Sequence, residues 1–379
     1  MVVPGDAGRR WFAVRVAFRA DASVQIGTGH VMRCLTLADE LTRQGHQCRF
    51  VCREHEGHLG DLITSKGYGL TLLPSRSDND LHTTDSGYDN YALWLGVPWQ
   101  EDARQTLYAL TPWQPDWLVV DHYALDADWE RALANHVGSI MVIDDLANRP
   151  HECSLLLDQN VLDSRIAKRY ERLTSEYCTL LLGPKYALLR PEYAELAKSL
   201  PKRDGVISRV MIFVGGSDPH HLTERYLRAL TAPEFKHLFV DVVIGKNHPA
   251  PANVESLVEA RARTRLYSGL PSLAALMVRA DLMLGAGGAT NWERMCLGLN
   301  SVVTSVASNQ DEINRTLADE GLIEFVGAVN KLTDMALTHT VESVIQNPDV
   351  NARRSALMKN IVDGRGTEYV VRKLLEKTR

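Results

Sequence analysis

The sequence predicts an α/β protein made of two doubly wound domains facing across a cleft, followed by a helical C-terminal tail. Three observations carry that expectation. The chain has 379 residues, a length that suits two domains, each able to bury its own core. Short β-rich runs alternate with helical stretches, which is the pattern of a parallel sheet covered by helices on both faces. The alternation halts at a polar stretch containing Pro201, Lys198 to Gly205, and then starts again.

The first domain is expected over residues 15–200, behind an N-terminal extension of residues 1–14. Val14 to Arg19 reads as a strand, Gly29 to Gln44 as a helix, Gln47 to Cys52 as a strand and Leu59 to Lys66 as a helix. Leu70 to Leu73, Trp117 to Asp121 and Ile140 to Asp144 continue the strands, with a helix at Asp126 to His136. The polar run from Ser75 to Trp99 reads as a long loop beside the site. Lys198 to Gly205 reads as a linker. The second domain, residues 206–333, carries strands at Val210 to Val214, Phe239 to Ile244, Thr264 to Tyr267, Leu282 to Leu284 and Val302 to Ser305. The tail, Asp334 to Arg379, looks wholly helical. In sheets wound this way, ligands bind outside the carboxyl ends of the strands.

Composition excludes several function classes. Hydrophobic residues are 45% and charged residues 23%, an ordinary globular balance. The net charge of -5, without a basic run, argues against nucleic acid or an anionic membrane as partner. No apolar stretch approaches the ~20 residues of a membrane span, and none of signal-peptide length follows Arg9 and Arg10. The cytoplasm is the expected compartment. The six cysteines are too sparse for a disulfide framework. Cys48, Cys52, His55 and His58 are close in sequence, but a Cys2His2 zinc site needs a longer loop between its pairs. Cys48 and Cys52 instead share one face of a strand, as buried thiols do. No metal and no cofactor is expected.

Two glycine-containing turns carry the chemistry. In Arg19-Ala-Asp-Ala-Ser-Val-Gln-Ile-Gly-Thr-Gly-His-Val-Met-Arg33, a strand runs into a loop with Gly27 and Gly29, and His30 opens the next helix. Glycines there leave room for a ligand, and the positive end of a helix disfavours imidazolium. A neutral His30 can act as general base; the plain alternative is a packing histidine. The full Gly-x-Gly-x-x-Gly dinucleotide fingerprint is absent because Arg33 breaks it. In Leu284-Gly-Ala-Gly-Gly-Ala-Thr-Asn-Trp-Glu-Arg294, a strand ends in a glycine turn and a helix starts near Ala289 or Thr290, where backbone N–H groups can cradle a diphosphate. Glu293, one turn in, can accept from a vicinal diol such as a ribose, or can simply stabilise the helix start. A similar turn, Phe213-Val-Gly-Gly-Ser-Asp-Pro219, puts Gly215 and Gly216 where a substrate can approach. Polar clusters at Asp121–Asp126, Asp144–Arg149 and Ala307–Asp311 also follow strand ends. Asp144 and Asp145 lack companion ligands at metal spacing and read as turn and N-cap residues.

The combination of Arg19-Ala-Asp-Ala-Ser23, Ile26-Gly-Thr-Gly-His-Val-Met-Arg-Cys34, Asp121-His-Tyr123, Ile143-Asp-Asp-Leu-Ala-Asn-Arg149, Leu157-Asp-Gln-Asn160, Tyr186-Ala-Leu-Leu-Arg-Pro-Glu192 and Gly285-Ala-Gly-Gly-Ala-Thr-Asn-Trp-Glu293 resembles the UDP-2,4-diacetamido-2,4,6-trideoxy-β-L-altropyranose hydrolases of pseudaminic acid biosynthesis. The resemblance spans about residues 15 to 325 in order. It implies a GT-B-like pair of Rossmann-like domains, with the nucleotide on the second and the catalytic histidine on the first. It implies that His30 is the base and that Tyr123 and Asn309 lie near the sugar and the water. It also implies that the Gly285–Thr290 turn holds the UDP diphosphate and Glu293 the ribose. Substrate contacts are thus expected from Asp21, Ser23, Gly27, Gly29, Arg33, Gly215, Gly216, Gly287, Gly288, Ala289, Thr290, Glu293 and Gln310. The sequence departs from the family at its first 12 residues and at Pro219-His-His221, where an asparagine is expected.

In the implied reaction a water deprotonated by His30 attacks the anomeric carbon and UDP leaves. Rival readings are a GT-B glycosyltransferase with another acceptor, a non-catalytic nucleotide-sugar binder and a 2-epimerase that passes through UDP elimination.

Overall fold

The computed structural model describes residues 13–75, 91–160, 162 and 164–378. Most of the expected N-terminal extension, and residues 76–90 of the expected Ser75 to Trp99 loop, lie outside the described residues. The chain forms two compact units. The first comprises residues up to Asp158, Ala167–Leu181 and the chain from Val370 on; the second comprises Gln159–Ile166 and Leu182–Tyr369.

The first unit is built on β1 (Arg15–Ala20), β2 (Gln47–Arg53), β3 (Gly69–Leu73), β4 (Trp117–Asp121), β5 (Ser139–Ile143), β6 (Leu155–Asp158) and β7 (Thr179–Leu182). Their spatial order is β3-β2-β1-β4-β5-β6-β7, and the pairings from β3 through β6 are parallel. The second unit carries β8 (Arg209–Phe213), β9 (Phe239–Ile244), β10 (Thr264–Ser268), β11 (Leu282–Ala286), β12 (Asn300–Ser305) and β13 (Glu324–Ala328). These lie in the order β10-β9-β8-β11-β12-β13, all parallel. Strands covered on both faces read as unbroken apolar runs rather than alternating ones. That is why Trp117–Asp121 and Leu282–Ala286 are buried at every residue. Each sheet reverses its direction of winding once, between β1 and β4 and between β8 and β11. Loops leaving the carboxyl ends of those four strands are where a doubly wound sheet receives a ligand.

Three strands escape the sequence reading: β6, β7 and β13. The first two are four-residue leucine-rich runs, which period alone cannot separate from helix. The third contains Gly327, a residue that weakens strand propensity. The tail is three helices, Asp334–Gln346, Pro348–Ile361 and Gly366–Glu376. Pro348 can start a helix but not continue one, and Gly364 takes a left-handed φ of 78° between the last two. Near the end of the tail Thr378 Oγ1 accepts from Trp117 Nε1 at 2.8 Å, which anchors it to the first unit. The expected linker, Lys198 to Gly205, is instead packed within the second unit. Arg203 donates to the carbonyls of Met277, Ala280 and Leu297, so the stretch is a fixed strap. No helix among the described residues is long and apolar enough to cross a membrane.

Buried ion pairs shape the loops of the first unit. Arg19 donates to both oxygens of Asp102 (3.2 and 2.6 Å) and to Asp21 (2.6 Å), and Arg53 donates to Asp102 (2.6 Å). All four side chains are fully buried, and two guanidinium groups balance two carboxylates. After β5, Asp144 accepts from the Ala147 amide (2.9 Å), from Arg149 (2.7 Å) and from the Tyr170 hydroxyl (2.8 Å). It makes the turn the sequence suggests, but no helix follows, so it is not an N-cap.

Burial would push the Asp144 carboxyl up, but Arg149 and then His151 outweigh it and hold it at about 2, against 3.8 ordinarily. A carboxyl depressed by folding contributes stability that is complete above its unfolded pKa and lost as pH falls through the folded one. Asp144→Asn strands Arg149 without a counter-charge, so it is expected to destabilise the protein by on the order of 3–5 kcal/mol at pH 7. In urea titrations the gap from wild type should narrow between pH 4 and 2. A gap constant over that interval would show that the charge on Asp144 is not what stabilises the turn.

Candidate active site

The loop after β1 is built from short local bonds. Ser23 Oγ accepts from the amides of Gln25 (3.1 Å) and Ile26 (2.9 Å), and Gly27 N–H closes the turn on Ser23 O (2.9 Å). Gly27 has a φ of 78°, a conformation in which other residues are strained. Gly29 begins the helix Gly29–Arg43, whose first turn holds no acidic residue. Asp21, expected among the substrate contacts, is fully buried. One of its oxygens accepts from Arg19 and from the Arg53 amide, both at 2.6 Å, so the structure gives it the role of loop anchor.

His30, the second residue of that helix, meets Asp121 at the end of β4. Parallel pairing sets Ala20 of β1 beside Asp121, which brings the strand-end carboxylate under the helix start. His30 Nδ1 lies 2.6 Å from Asp121 Oδ1. One turn on, Arg33 donates Nε to Oδ2 and Nη2 to Oδ1, both at 2.6 Å, and Nη1 to Asp145 Oδ2 at 3.1 Å. Burial would raise the Asp121 carboxyl, but Arg33 and then His30 outweigh it and hold it well below the usual range. An ionised Asp121 can only accept, so Nδ1 carries the proton and donates. The lone pair is thereby placed on Nε2, which has no hydrogen-bond partner among the described residues. This is the arrangement of an oriented general base.

Tyr123 stands edge-on to His30, with ring centroids 4.6 Å apart and planes at 84°. Burial, then Asp145, pushes its hydroxyl well up, so it stays protonated as a donor. His122, between Asp121 and Tyr123 in the chain, points the other way, as alternation at a strand end requires. Its Nδ1 accepts from the Ala124 amide (3.1 Å), Nε2 is 3.4 Å from Asp21, and burial pushes the ring down to about 3.

In the second unit the turn after β11 brings together Gly287, Gly288, Ala289 and Thr290 at the start of the helix Thr290–Cys296. Gly287 is buried, and a Cβ there would collide with the side chain of Asn314. Asn314 is itself braced by Ser305 Oγ (2.9 Å) and Asn291 (3.1 Å). Gln310 sits over Gly288, its Oε1 accepting from the Val306 amide (3.0 Å). Asn309 precedes it in the short turn Ser308–Gln310 and is half-buried. Glu293 lies on the same helix as Thr290, half-buried beside Tyr193 and Arg190. Burial pushes its carboxyl up, with the Tyr193 hydroxyl and Arg190 opposing. Gly215 and Gly216 follow β8, and Gly216 O packs against Gly245. The helix that begins at Leu222 starts from His221, whose left-handed φ of 52° suits asparagine better than most residues.

The sequence reading missed three residues that the structure makes central. Asp121 and Asp145 were visible only as polar turn residues, although a charge ending an otherwise apolar strand is a signal for the first. Asn314 had no signal. The structure also gathers Asp218, Glu224 and His248, buried with one ligand atom each within 4.8 Å of one another, where the sequence shows no cluster. His248 Nδ1 accepts from the Ala250 amide (3.2 Å), and its Nε2 faces Asp218 at 3.7 Å and Glu224 at 3.8 Å. Asp218 caps the helix Leu222–Ala229 through the amides of Leu222 and Thr223.

No family model matches the chain. It is similar to the UDP-2,4-diacetamido-2,4,6-trideoxy-beta-L-altropyranose hydrolase of Campylobacter jejuni, with 26% identity over 309 residues, 81% of this chain and 97% of that one. Among solved structures, MurG of Acinetobacter baumannii superposes with a TM-score of 0.62 at 13% identity, covering 96% of this chain and 99% of that one. Arabidopsis thaliana UGT89C1, solved with UDP-L-rhamnose, gives 0.64 at 12%, covering 97% and 100%. These two likenesses show the GT-B fold and nothing further.

The His30 site makes a prediction that needs no substrate. In ¹⁵N-edited NMR, the neutral His30 ring should be protonated at Nδ1. A ring protonated at Nε2 instead would remove the free acceptor and with it the base.

Proposed function

We propose that the chain hydrolyses UDP-2,4-diacetamido-2,4,6-trideoxy-β-L-altropyranose, or a close relative, to UDP and the free sugar, as a step of pseudaminic acid biosynthesis. The observation that carries this reading is the 2.6 Å contact of His30 Nδ1 with the buried Asp121 carboxylate, from which it follows that Nδ1 holds the ring proton and Nε2 can take one from water. The relationship to the Campylobacter hydrolase across nearly its whole length supplies the substrate class.

In the proposed step, His30 Nε2 removes a proton from water and the oxygen attacks the anomeric carbon. The bond from that carbon to the diphosphate oxygen breaks, and UDP leaves with the electron pair. Asp121 stabilises the imidazolium that forms, as a buried carboxylate does for a histidine base. Tyr123, whose hydroxyl proton is shared with Asp145, offers its oxygen as an acceptor to sugar or water, and Asn309 contributes a further polar contact. On the nucleotide side, Gly287 ties the turn to Thr304 O through its own N–H (3.2 Å), the amides of Gly288 to Thr290 take the diphosphate, and Glu293 takes the ribose diol. Gly215, Gly216 and Gln310 border it. Ser23, Gly27 and Gly29 shape the loop ahead of the base, and Arg33 fixes Asp121. In-line displacement at carbon inverts the anomeric configuration. A GT-B glycosyltransferase would share the fold and the nucleotide contacts but release no free sugar in the absence of an acceptor.

Incubation of the protein with the UDP-linked sugar in ¹⁸O-labelled water tests the reading. UDP and free sugar should appear by NMR, with the label in promptly sampled sugar and none in UDP. Label in the nucleotide, or UMP with a sugar phosphate, would place the attack at phosphorus and exclude His30 as a base acting at carbon. His30→Asn should abolish turnover and leave UDP affinity within a few-fold.

Glu293→Ala should weaken UDP binding by roughly 1–3 kcal/mol, the range for leaving buried hydrogen-bond partners unpaired. An unchanged calorimetric affinity would move the ribose elsewhere.

A further inference from the structure

Beyond Tyr123 the first unit keeps an aromatic surface, Tyr91 and Trp94, that the proposed chemistry does not use. Tyr91 leads into the short helix Ala92–Leu95, which carries Trp94 and is anchored in the core by Leu95. Trp94 lies over Tyr123 with centroids 5.8 Å apart and planes at 29°, while Tyr91 meets Tyr123 edge-on at 5.1 Å and Trp94 at 4.7 Å. With Tyr123 against His30, the rings form one continuous run leading outward from the imidazole. Tyr123 is buried, but Tyr91 and Trp94 are only half-buried, so indole and phenol surface stays open to solvent one ring beyond the one that touches the base. The polar counterpart is close by. Arg33 and Asp145 form an ion pair at 3.1 Å, and Asp145 acts on the hydroxyls of both Tyr91 and Tyr123.

Rings kept half-exposed next to a polar pair mark a ligand wall rather than a core, since a core would cover them. Their chemistry restricts the occupant. Aromatic faces reward C–H and methyl contacts and give nothing to a hydroxyl that must shed its water. A methyl group moved out of water is worth about four-fold in affinity. A fully hydroxylated hexose offers no methyl, whereas a 6-deoxy sugar with two acetamido groups offers three, together with amides that Arg33 and Asp145 can meet.

We propose that Tyr91, Trp94 and Tyr123 form the subsite that selects an N-acetylated, 6-deoxy sugar, with Trp94 the specificity-determining residue in contact with its methyl groups. The proposal rests on the hydrolase reading for the identity of the sugar, and the test separates the two.

Saturation-transfer NMR on the full chain uses free 2,4-diacetamido-2,4,6-trideoxyaltrose as probe. Irradiation of aromatic protons should transfer most strongly to the acetamido and C6 methyls. In Trp94→Ala that transfer should fall several-fold, and in Trp94→Phe it should be largely retained, with UDP affinity unchanged in both as a check that the fold survives. Transfer equal in wild type and Trp94→Ala overturns the subsite. In turnover assays, the kcat/KM preference for the UDP-diacetamido sugar over UDP-N-acetylglucosamine should drop about tenfold or more in Trp94→Ala. A wild type that cleaves the substrate with a preference untouched by Trp94→Ala sinks the subsite and keeps the hydrolase. Methyl transfer that depends on Trp94 in a protein cleaving neither substrate sinks the hydrolase and keeps the subsite.

Discussion

A single carboxylate organises the first unit's site. Asp121 ends β4 with no exposed surface and receives three hydrogen bonds of 2.6 Å, one from His30 and two from Arg33. A charge so placed must be compensated, because an isolated buried ion costs several kcal/mol. Arg33 supplies the compensation, and that leaves the His30 bond free to set a tautomer instead of neutralising a charge. The geometry descends from register. Were β1 and β4 offset by one residue, the carboxyl would point to the opposite face of the sheet and away from the helix carrying both partners.

The second unit reaches its candidate binding turn by the opposite route. The loops after β8 and β11 leave the same switch position as those after β1 and β4, yet what distinguishes them is missing side chains. Gly287 can pass Asn314 only because it has no Cβ, and the turn it makes presents amides where the other unit presents charges. One topology therefore provides a charged, side-chain site and a backbone site. Anion recognition by amides requires close approach of the main chain, and a base requires an oriented ring, so the two kinds of loop are not interchangeable.

Much of this is legible in sequence, for reasons that also explain the gaps. Buried parallel strands announce themselves as runs such as Trp117-Leu-Val-Val and Phe239–Ile244, and both appear in the structure at the expected bounds. Strands of four leucine-rich residues carry too little pattern to be told from helix, and β6 and β7 are lost for that reason. Glycine turns after strands are equally visible. Partners distant in sequence are not. Arg33 and Asp145 are 112 residues apart, and nothing local to either predicts the pair. Asp21 shows the converse. A carboxylate at the head of a glycine loop reads as a ligand contact, and nothing local to it predicts that one of its oxygens ties the loop to Arg19 and the Arg53 amide. Polar residues at strand ends divide between contacting a ligand and holding the residues that do, and residue type does not say which.

The retention of so many buried charges in the first unit has a physical meaning. Replacing a buried ion pair by apolar residues of similar volume is commonly neutral or stabilising, so stability alone does not explain why Arg19, Asp21, Asp102 and Arg53 form one fully buried network. What the network provides is direction. Arg19 joins Asp102 on the helix Trp99–Leu110 to Asp21 at the mouth of the loop, and Asp21 joins that loop to the end of β2. An apolar core could fill the same volume with several packings, whereas paired guanidinium and carboxylate groups accept only arrangements that satisfy every bond. The loop that delivers His30 is therefore held by bonds that specify an orientation. His30 itself is held by Asp121 in the same manner, one layer nearer the solvent. A histidine whose only duty was packing would gain nothing from two successive layers of directed charge. A base that must keep Nε2 aimed at a water gains its geometry from them.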